Sequence, residues 1–244
     1  MTQLGFVGAG NMARALAVGL GEPALFSDGG SGRAGALAEL VGGSAVSNAE
    51  LVERADVVVL AHKPGQLMAT AHELGGAKVV LSLLGGVALE ALAAAFPEAT
   101  VTRAMPNTAV AVRKGVTCMC GAEGLDQLLE RVGIVVRLPE RLMDAATAVS
   151  GVAPAYVSLI AEAWVDAAVA QGIPAAEAAR LVCASLAGSA ALLEERGMDT
   201  LAVRREVTSP GGMTARGLRV LERAGLRAAF SDATAAVVEK GVAK

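Results

Sequence analysis

Hydrophobic and polar positions divide the chain into two textures. Up to about Leu138, short apolar runs alternate with stretches of helical period; beyond it no such run recurs. Leu4-Gly5-Phe6-Val7-Gly8 predicts a buried strand, followed by a glycine-rich turn and a helix from Met12 to Leu20. Ala24 to Ser27 predicts a second strand and Ala34 to Val41 a second helix. Asp56 to Ala61 is apolar after its first residue, as a parallel strand covered on both faces must be. Val79–Leu83, Thr100–Met105, Gly115–Cys120 and Ile134–Leu138 continue the series. This alternation predicts a doubly wound α/β sheet over residues 1–140.

From about Arg141 the chain reads as alanine-rich helix broken by Gly and Pro: Met143–Gly172, Ala175–Gly197 and Leu201 onward. Apolar residues occupy more than one face of these helices, which in a monomer would leave apolar surface in water. Residues 141–244 are therefore expected to form an all-α dimerisation and substrate-binding domain, in at least a homodimer. A compact monomeric bundle is the alternative. The longest stretch without a charge, Ala145 to Ala161, is short for a membrane span and rich in Ala, Gly, Ser and Thr. Met1 to Met12 has no basic flank ahead of an apolar core, so no secretory signal is expected. The chain reads as soluble and cytoplasmic, with no membrane contact.

Composition narrows the chemistry. The 244 residues are 54% hydrophobic and 18% charged, which excludes disorder and permits a sizeable core. A mean hydropathy of +0.52 first suggests a membrane protein, but a two-sided sheet and a partnered helical half account for it. With 21 basic against 24 acidic residues there is no basic footprint for nucleic acid. Three cysteines, Cys118, Cys120 and Cys183, suggest reduced thiols, and Cys118-x-Cys120 lacks the second pair that a zinc site needs. His62 and His72 are the only histidines, neither beside a nucleophile, so hydrolysis by the usual routes is disfavoured. His72 reads as a surface residue.

The strongest chemical signal early in the chain is Gly8-Ala9-Gly10-Asn11-Met12-Ala13, a G-x-G-x-x-A turn between the first strand and the first helix. Gly8 permits the tight turn, Gly10 lets backbone approach a pyrophosphate, and Ala13 keeps helix and strand close. Placed at the start of a β-α-β chain, it makes the first domain Rossmann-like and dinucleotide-binding. The end of the second strand, Phe26-Ser27-Asp28-Gly29-Gly30-Ser31-Gly32-Arg33, gives conflicting signals. Asp28 would pair with the free ribose of NADH, whereas Ser27, Ser31 and Arg33 would hold the 2′-phosphate of NADPH. The balance leans to NADPH, with NADH possible.

A second block, Ser209-Pro210-Gly211-Gly212-Met213-Thr214, precedes a helix from Met213 to Glu222. Its glycines let consecutive amides converge on an anion, with Ser209 placed to cap the helix. By its own residues it reads equally as an anion site or as an ordinary capped junction. Together with Arg103-Ala104-Met105-Pro106-Asn107-Thr108, Ala61-His62-Lys63-Pro64 and Ser150-Gly151-Val152-Ala153-Pro154-Ala155-Tyr156, it makes the chain resemble pyrroline-5-carboxylate reductase, from Gly5 to about Leu221.

The resemblance implies that Val7, Gly8, Ala9, Gly10, Asn11 and Met12 hold the cofactor pyrophosphate. It implies that Asn48 meets the adenosine end, beside the Ser27 already read as a cofactor contact, and that Ala61, His62, Lys63, Pro64 and Gly85 line the nicotinamide side. Ser209, Gly211, Gly212, Met213 and Thr214 would bind the substrate carboxylate, with Thr214 as the catalytic hydroxyl at the ring nitrogen. The chain departs from the family pattern at His62, where Val is common, and at Val152 and Ala153, where Ser and Gly are. His62 is expected to pack beside the cofactor rather than act as an acid. Arg103 is a weak candidate, and Glu162 with Asp166, one helical turn apart, reads as an interface feature sooner than a carboxylate pair. Tyr156 and Trp164 fit interface packing as well as pocket lining. The competing readings are a reductase of another cyclic imine, a hydroxyacid dehydrogenase, and a non-catalytic dinucleotide-binding module. No lysine lies between Lys114 and Lys240 to serve the second.

Overall fold

The computed structural model describes residues 2–242. Eight strands, β1 (Leu4–Val7), β2 (Leu25–Ser27), β3 (Ser44–Ala45), β4 (Val57–Leu60), β5 (Val79–Ser82), β6 (Thr100–Pro106), β7 (Gly115–Gly121) and β8 (Gly133–Arg137), form one sheet in the order β3-β2-β1-β4-β5-β6-β7-β8. The first six run parallel, because helices α1 (Asn11–Leu20), α2 (Arg33–Val41), α3 (Asn48–Arg54), α4 (Leu67–Glu73) and α5 (Leu89–Ala95) carry the chain back between them. The step from β6 to β7 is antiparallel. Its connection is only a 3₁₀ turn, Thr108–Val112, too short to cross the sheet. Helix α6 (Asp126–Glu130) restores a crossover, so β8 lies parallel to β7.

The two-sided burial expected from the apolar runs is present. Along β4, Val57 and Val59 join a core under α1, α2 and α6, while Val58 and Leu60 join another under α3, α4 and α5. Phe6 and Phe26, from adjacent strands, stack at 5.2 Å on the first face. Helix α1 also packs against the 3₁₀ turn after β6, so closely that a Cβ on Gly19 would overlap the Val110 carbonyl and come within 3.1 Å of Val132 Cγ1. Neither backbone can retreat without opening the core. Gly19→Ala is expected to destabilise the fold by about 2 kcal/mol, overriding alanine's better helix propensity. A lower urea midpoint at unchanged slope is the readout.

After β8 the chain stays on the sheet before entering the helical half. Helix α7 (Met143–Ala146) and a π-helical turn, Thr147–Gly151, follow β8, and fully buried Met143 packs with Cys118 and Cys120. Arg103, nearly fully buried, pairs with Asp144 at 3.0 Å and with Glu140 at 3.5 Å, which fastens this segment to β6. Arg103 is thus a structural tie. Both strand cysteines are free and buried; Cys183 is free and exposed, as is His72.

One compact unit takes in the chain through Pro154 together with residues 238–242, and a second spans Ala155–Val237. The helices after β8 are α8 (Ala153–Ala170), α9 (Ala175–Glu195), α10 (Thr200–Glu206), α11 (Met213–Arg223) and α12 (Leu226–Val242). Within the second unit, Tyr156 and Phe230 meet edge to face at 6.5 Å. Apolar side chains nevertheless remain in the open: Leu159 is 66% exposed, Leu181 56% and Trp164 50%. Two helical stretches, Glu140–Ala170 and Ala175–Glu195, are long and apolar enough to cross a membrane by length and composition.

Candidate functional site

The crevice of a doubly wound sheet opens where strand order reverses, here between β1 and β4. The Gly8–Met12 turn sits at that point. Gly8 donates its N–H to the Ser27 carbonyl at 2.9 Å and has φ +101°, a conformation that L side chains resist. A Cβ there would lie 2.6 Å from backbone atoms of Ala61 and His62. Gly10 is different. It is the N-cap residue of α1 with no side-chain cap, and a Cβ on it would meet no protein atom within 4 Å.

The first intrahelical bond joins the Arg14 N–H to the Gly10 carbonyl, so the amides at the start of α1 have no helical acceptor. Open space beside Gly10 and a helix N-terminus behind it fit a pyrophosphate. Val7 and Ala13 are buried, Ala9 and Met12 pack against the core, and Asn11 is exposed.

At the end of β2 the side chains are mostly occupied with one another. Ser27 is buried, and its hydroxyl donates to Asn48 Oδ1, whose Nδ2 donates to Glu73. Ser27 and Asn48 therefore tie β2 to α3 and α4. The Asp28 carboxylate accepts from the N–H groups of Gly30, Ser31 and Ala34 and from the Ser31 hydroxyl, at 2.8–3.1 Å. These bonds, the Ala34 amide foremost, hold its pKa below the usual carboxylate range. Arg33 opens α2 and is exposed.

On the β4 side, Ala61 continues the β1 pairing through the Val7 carbonyl, and Pro64 starts a 3₁₀ turn after Lys63. His62 Nδ1 donates to the Lys63 carbonyl at 2.9 Å, and burial pushes its pKa down against the opposing pull of that bond. That suits packing rather than acid catalysis. After β5, Ser82 is fully buried and its hydroxyl accepts from the Leu84 N–H at 3.3 Å. A Cβ on Gly85 would meet only Met105 Cε, at 3.9 Å. Asn107, nearly fully buried, accepts from the Ala109 and Val116 amides and donates to the Ser150 carbonyl at 3.1 Å. It thus binds the π-helical turn to β7.

In the second unit, Ser209-Pro210-Gly211-Gly212 forms a turn closed by the Gly212 N–H on the Ser209 carbonyl at 3.1 Å. Pro210 at its second position and Gly211, φ +72°, at its third make it type II. The expected Ser209 cap does not form: Gly212 is the N-cap of α11, without a side-chain hydrogen bond. The turn instead lays the Ser209 hydroxyl against the spot a Gly212 side chain would need. The first helical bond runs from Arg216 N to the Gly212 carbonyl, leaving the amides of Met213, Thr214 and Ala215 without helical acceptors. Thr214 is exposed, and no group among the described residues hydrogen-bonds its hydroxyl. Sequence reasoning missed Arg216, whose Nη1 donates to the Gly211 carbonyl at 3.2 Å and holds the turn. Glu162 and Asp166 are exposed on α8, away from this loop in sequence.

Comparison with known proteins agrees with both halves. Residues 140–243 match a family described as pyrroline-5-carboxylate reductase dimerisation, and residues 3–86 match one described as NADP oxidoreductase, coenzyme F420-dependent. The pyrroline-5-carboxylate reductase of Thermus thermophilus is 36% identical over 256 residues, covering 98% of this chain and 97% of that protein. That of Synechocystis is 39% identical over 204 residues, 79% of this chain and 76% of the relative. Among solved structures, the Streptococcus pyogenes 1-pyrroline-5-carboxylate reductase superposes with a TM-score of 0.89 at 28% identity, covering 98% of each chain. The Plasmodium falciparum pyrroline carboxylate reductase with NADP bound gives 0.86 at 27%, over 98% of this chain and 97% of that one.

Proposed function

The chain belongs to the pyrroline-5-carboxylate reductase family, and from that premise we propose which of its residues carry the reaction. The reaction itself is the reduction of 1-pyrroline-5-carboxylate to L-proline by hydride transfer from NAD(P)H, the last step of proline biosynthesis. Bound NAD(P)H supplies the hydride. The turn Val7–Met12 would hold its pyrophosphate on the free amides of α1, and Ala61–Pro64 with Gly85 would flank the nicotinamide side. Ser27 and Asn48 would frame the adenosine end through their mutual hydrogen bond.

The observation that carries the substrate assignment is the Ser209–Gly212 turn with its free amides and the unengaged Thr214 hydroxyl. Those amides would hold the substrate carboxylate at the positive end of α11. Thr214 would hydrogen-bond the ring nitrogen and orient it. A protonated cyclic imine is already an electrophile: its carbon accepts the hydride as the C=N π pair moves to nitrogen, giving the secondary amine. The protein's task is to align carbon and donor and to exclude water. Following NADPH and NADH oxidation with pyrroline-5-carboxylate and with piperideine carboxylate tests this. Turnover is expected with the first. No turnover with either would leave a dinucleotide-binding module.

Homo-oligomerisation runs through the C-terminal domain. We take the assembly to be at least a homodimer in which a second copy covers the exposed apolar side chains of α8 and α9. Lipid suits these helices less well, because Glu162 and Asp166 fall in the middle of α8, where an ionised carboxylate in hydrocarbon is costly. A cytoplasmic location and no nucleic-acid partner fit the same picture.

A further inference from the structure

The first turn of α11 carries a cation where a helix disfavours one. Arg216 is the fourth residue of the helix, beside the positive end of its dipole, and no acid in that turn offsets either. From Val207 to Leu221 the chain has no carboxylate. The next one, Glu222, is taken by Arg227 at 2.7 Å and by Arg204 at 3.7 Å. Among the described residues Arg216 forms no ion pair. Because helical side chains lean toward the N-terminus, it folds back over the preceding loop, where Nη1 donates to the Gly211 carbonyl at 3.2 Å.

The peptide unit held by that bond has little resistance of its own. The turn needs glycine at 211 for its φ of +72°, and at 212 because the Ser209 hydroxyl occupies the place of a Cβ. The peptide between them therefore has no Cβ on either side, and rotation about it meets almost no steric barrier. Two bonds fix it instead. Its N–H donates to the Ser209 carbonyl at 3.1 Å, and its C=O accepts from Arg216. Turned over, the same peptide would lose both bonds and release a carbonyl dipole just before the free amides of Met213, Thr214 and Ala215. A carbonyl oxygen there opposes any carboxylate that those amides are to bind.

Resting on the assignment of this turn to the substrate carboxylate, we propose that Arg216 is a positioning residue that sets substrate affinity. It acts through the Gly211 carbonyl, locking the Gly211–Gly212 peptide in the orientation that leaves the helix N-terminus open to an anion. It takes no part in hydride transfer. The cost of a cation in the first turn is offset when the carboxylate arrives.

Steady-state kinetics of Arg216→Met and Arg216→Lys with pyrroline-5-carboxylate at saturating NADPH test this, together with product inhibition by L-proline. Methionine keeps the apolar stem and removes donor and charge. Arg216 is exposed, so the melting temperature of Arg216→Met is expected to stay within about 2 °C of wild type. Its KM and its L-proline inhibition constant should each rise about tenfold, with kcat within about twofold and NADPH affinity unchanged. Arg216→Lys keeps a cationic donor and should bring KM back to within about threefold of wild type. A loop that merely lost its order would misplace Thr214 as well, so a kcat that falls along with the rise in KM overturns the proposal. An unchanged KM overturns it, as does a lysine variant no better than methionine. An Arg216→Met chain that fails to fold would make the residue structural and overturn it too. The reading on which the proposal rests fails differently, by a wild-type chain that does not turn over pyrroline-5-carboxylate at all.

Discussion

Gly10→Val is expected to weaken cofactor binding at least about a hundredfold while lowering the melting temperature by no more than about 4 °C. The two halves of this result have separate causes. Gly10 adopts φ −81° and ψ −175°, an extended conformation open to any residue, and a side chain there meets no protein atom. As an N-cap without a side-chain bond it supplies no capping hydrogen bond, and replacing it by valine, a poor N-cap residue, costs about 0.5–1 kcal/mol. What valine does remove is the space in front of the free α1 amides, where a pyrophosphate must come within hydrogen-bond distance. Fluorescence titration with NADPH gives the affinity and calorimetry the stability. Gly8→Ala provides the contrast: at φ +101°, with the Ala61 and His62 backbones 2.6 Å from its Cβ, it should lower stability before binding can be asked about. If Gly10→Val binds NADPH normally, the glycine turn does not hold the pyrophosphate.

That pair of glycines also marks how far the sequence could be read. The pattern G-x-G-x-x-A locates the turn, but both glycines look alike in it; only the neighbouring β4 backbone separates a packing glycine from a ligand-facing one. The parallel strands were legible because burial on both faces forces unbroken apolar runs such as Val57–Leu60. Strand β3 was not, since Ser44 and Ala45 are exposed edge residues that bury nothing. The reversal at β7 depends on connection length, and the 3₁₀ turn that shortens it, Thr108–Val112, has an apolar composition that does not read as a turn. The break inside the predicted Met143–Gly172 helix is a π-helical turn fixed by Asn107 from 43 residues away.

At the sites, residue types were easier to find than partners. Asp28 carries the expected signal for a free ribose, yet three local amides claim it, a competition set by loop geometry that composition does not reveal. Ser209 looks like a cap because Ser-Pro commonly precedes helices. The type II turn moves the true N-cap to Gly212. Arg216 had no comparable signal, as its task is to hold a carbonyl of the preceding loop.

Thr214→Val should lower kcat/KM for pyrroline-5-carboxylate about a hundredfold, chiefly through kcat, with NADPH affinity unchanged. Valine keeps the shape of threonine and leaves the Met213, Thr214 and Ala215 amides in place, so a carboxylate held by those amides still binds. What is lost is the Thr214 hydroxyl, which no described group hydrogen-bonds, whereas Thr208 donates to the Arg204 carbonyl. A hydrogen bond to a charged ring nitrogen, made where water is excluded, has the size needed for that loss. Thr214→Ser retains the hydroxyl and should recover most of the rate, which a purely steric role for the position would not produce. From Val207 to Ala215 the loop has no ionisable side chain. The pH profile of kcat/KM should therefore follow protonation of the imine itself and keep its shape in Thr214→Ser. Full activity in Thr214→Val would remove this hydroxyl from the mechanism and leave orientation of the ring to the carboxylate turn alone.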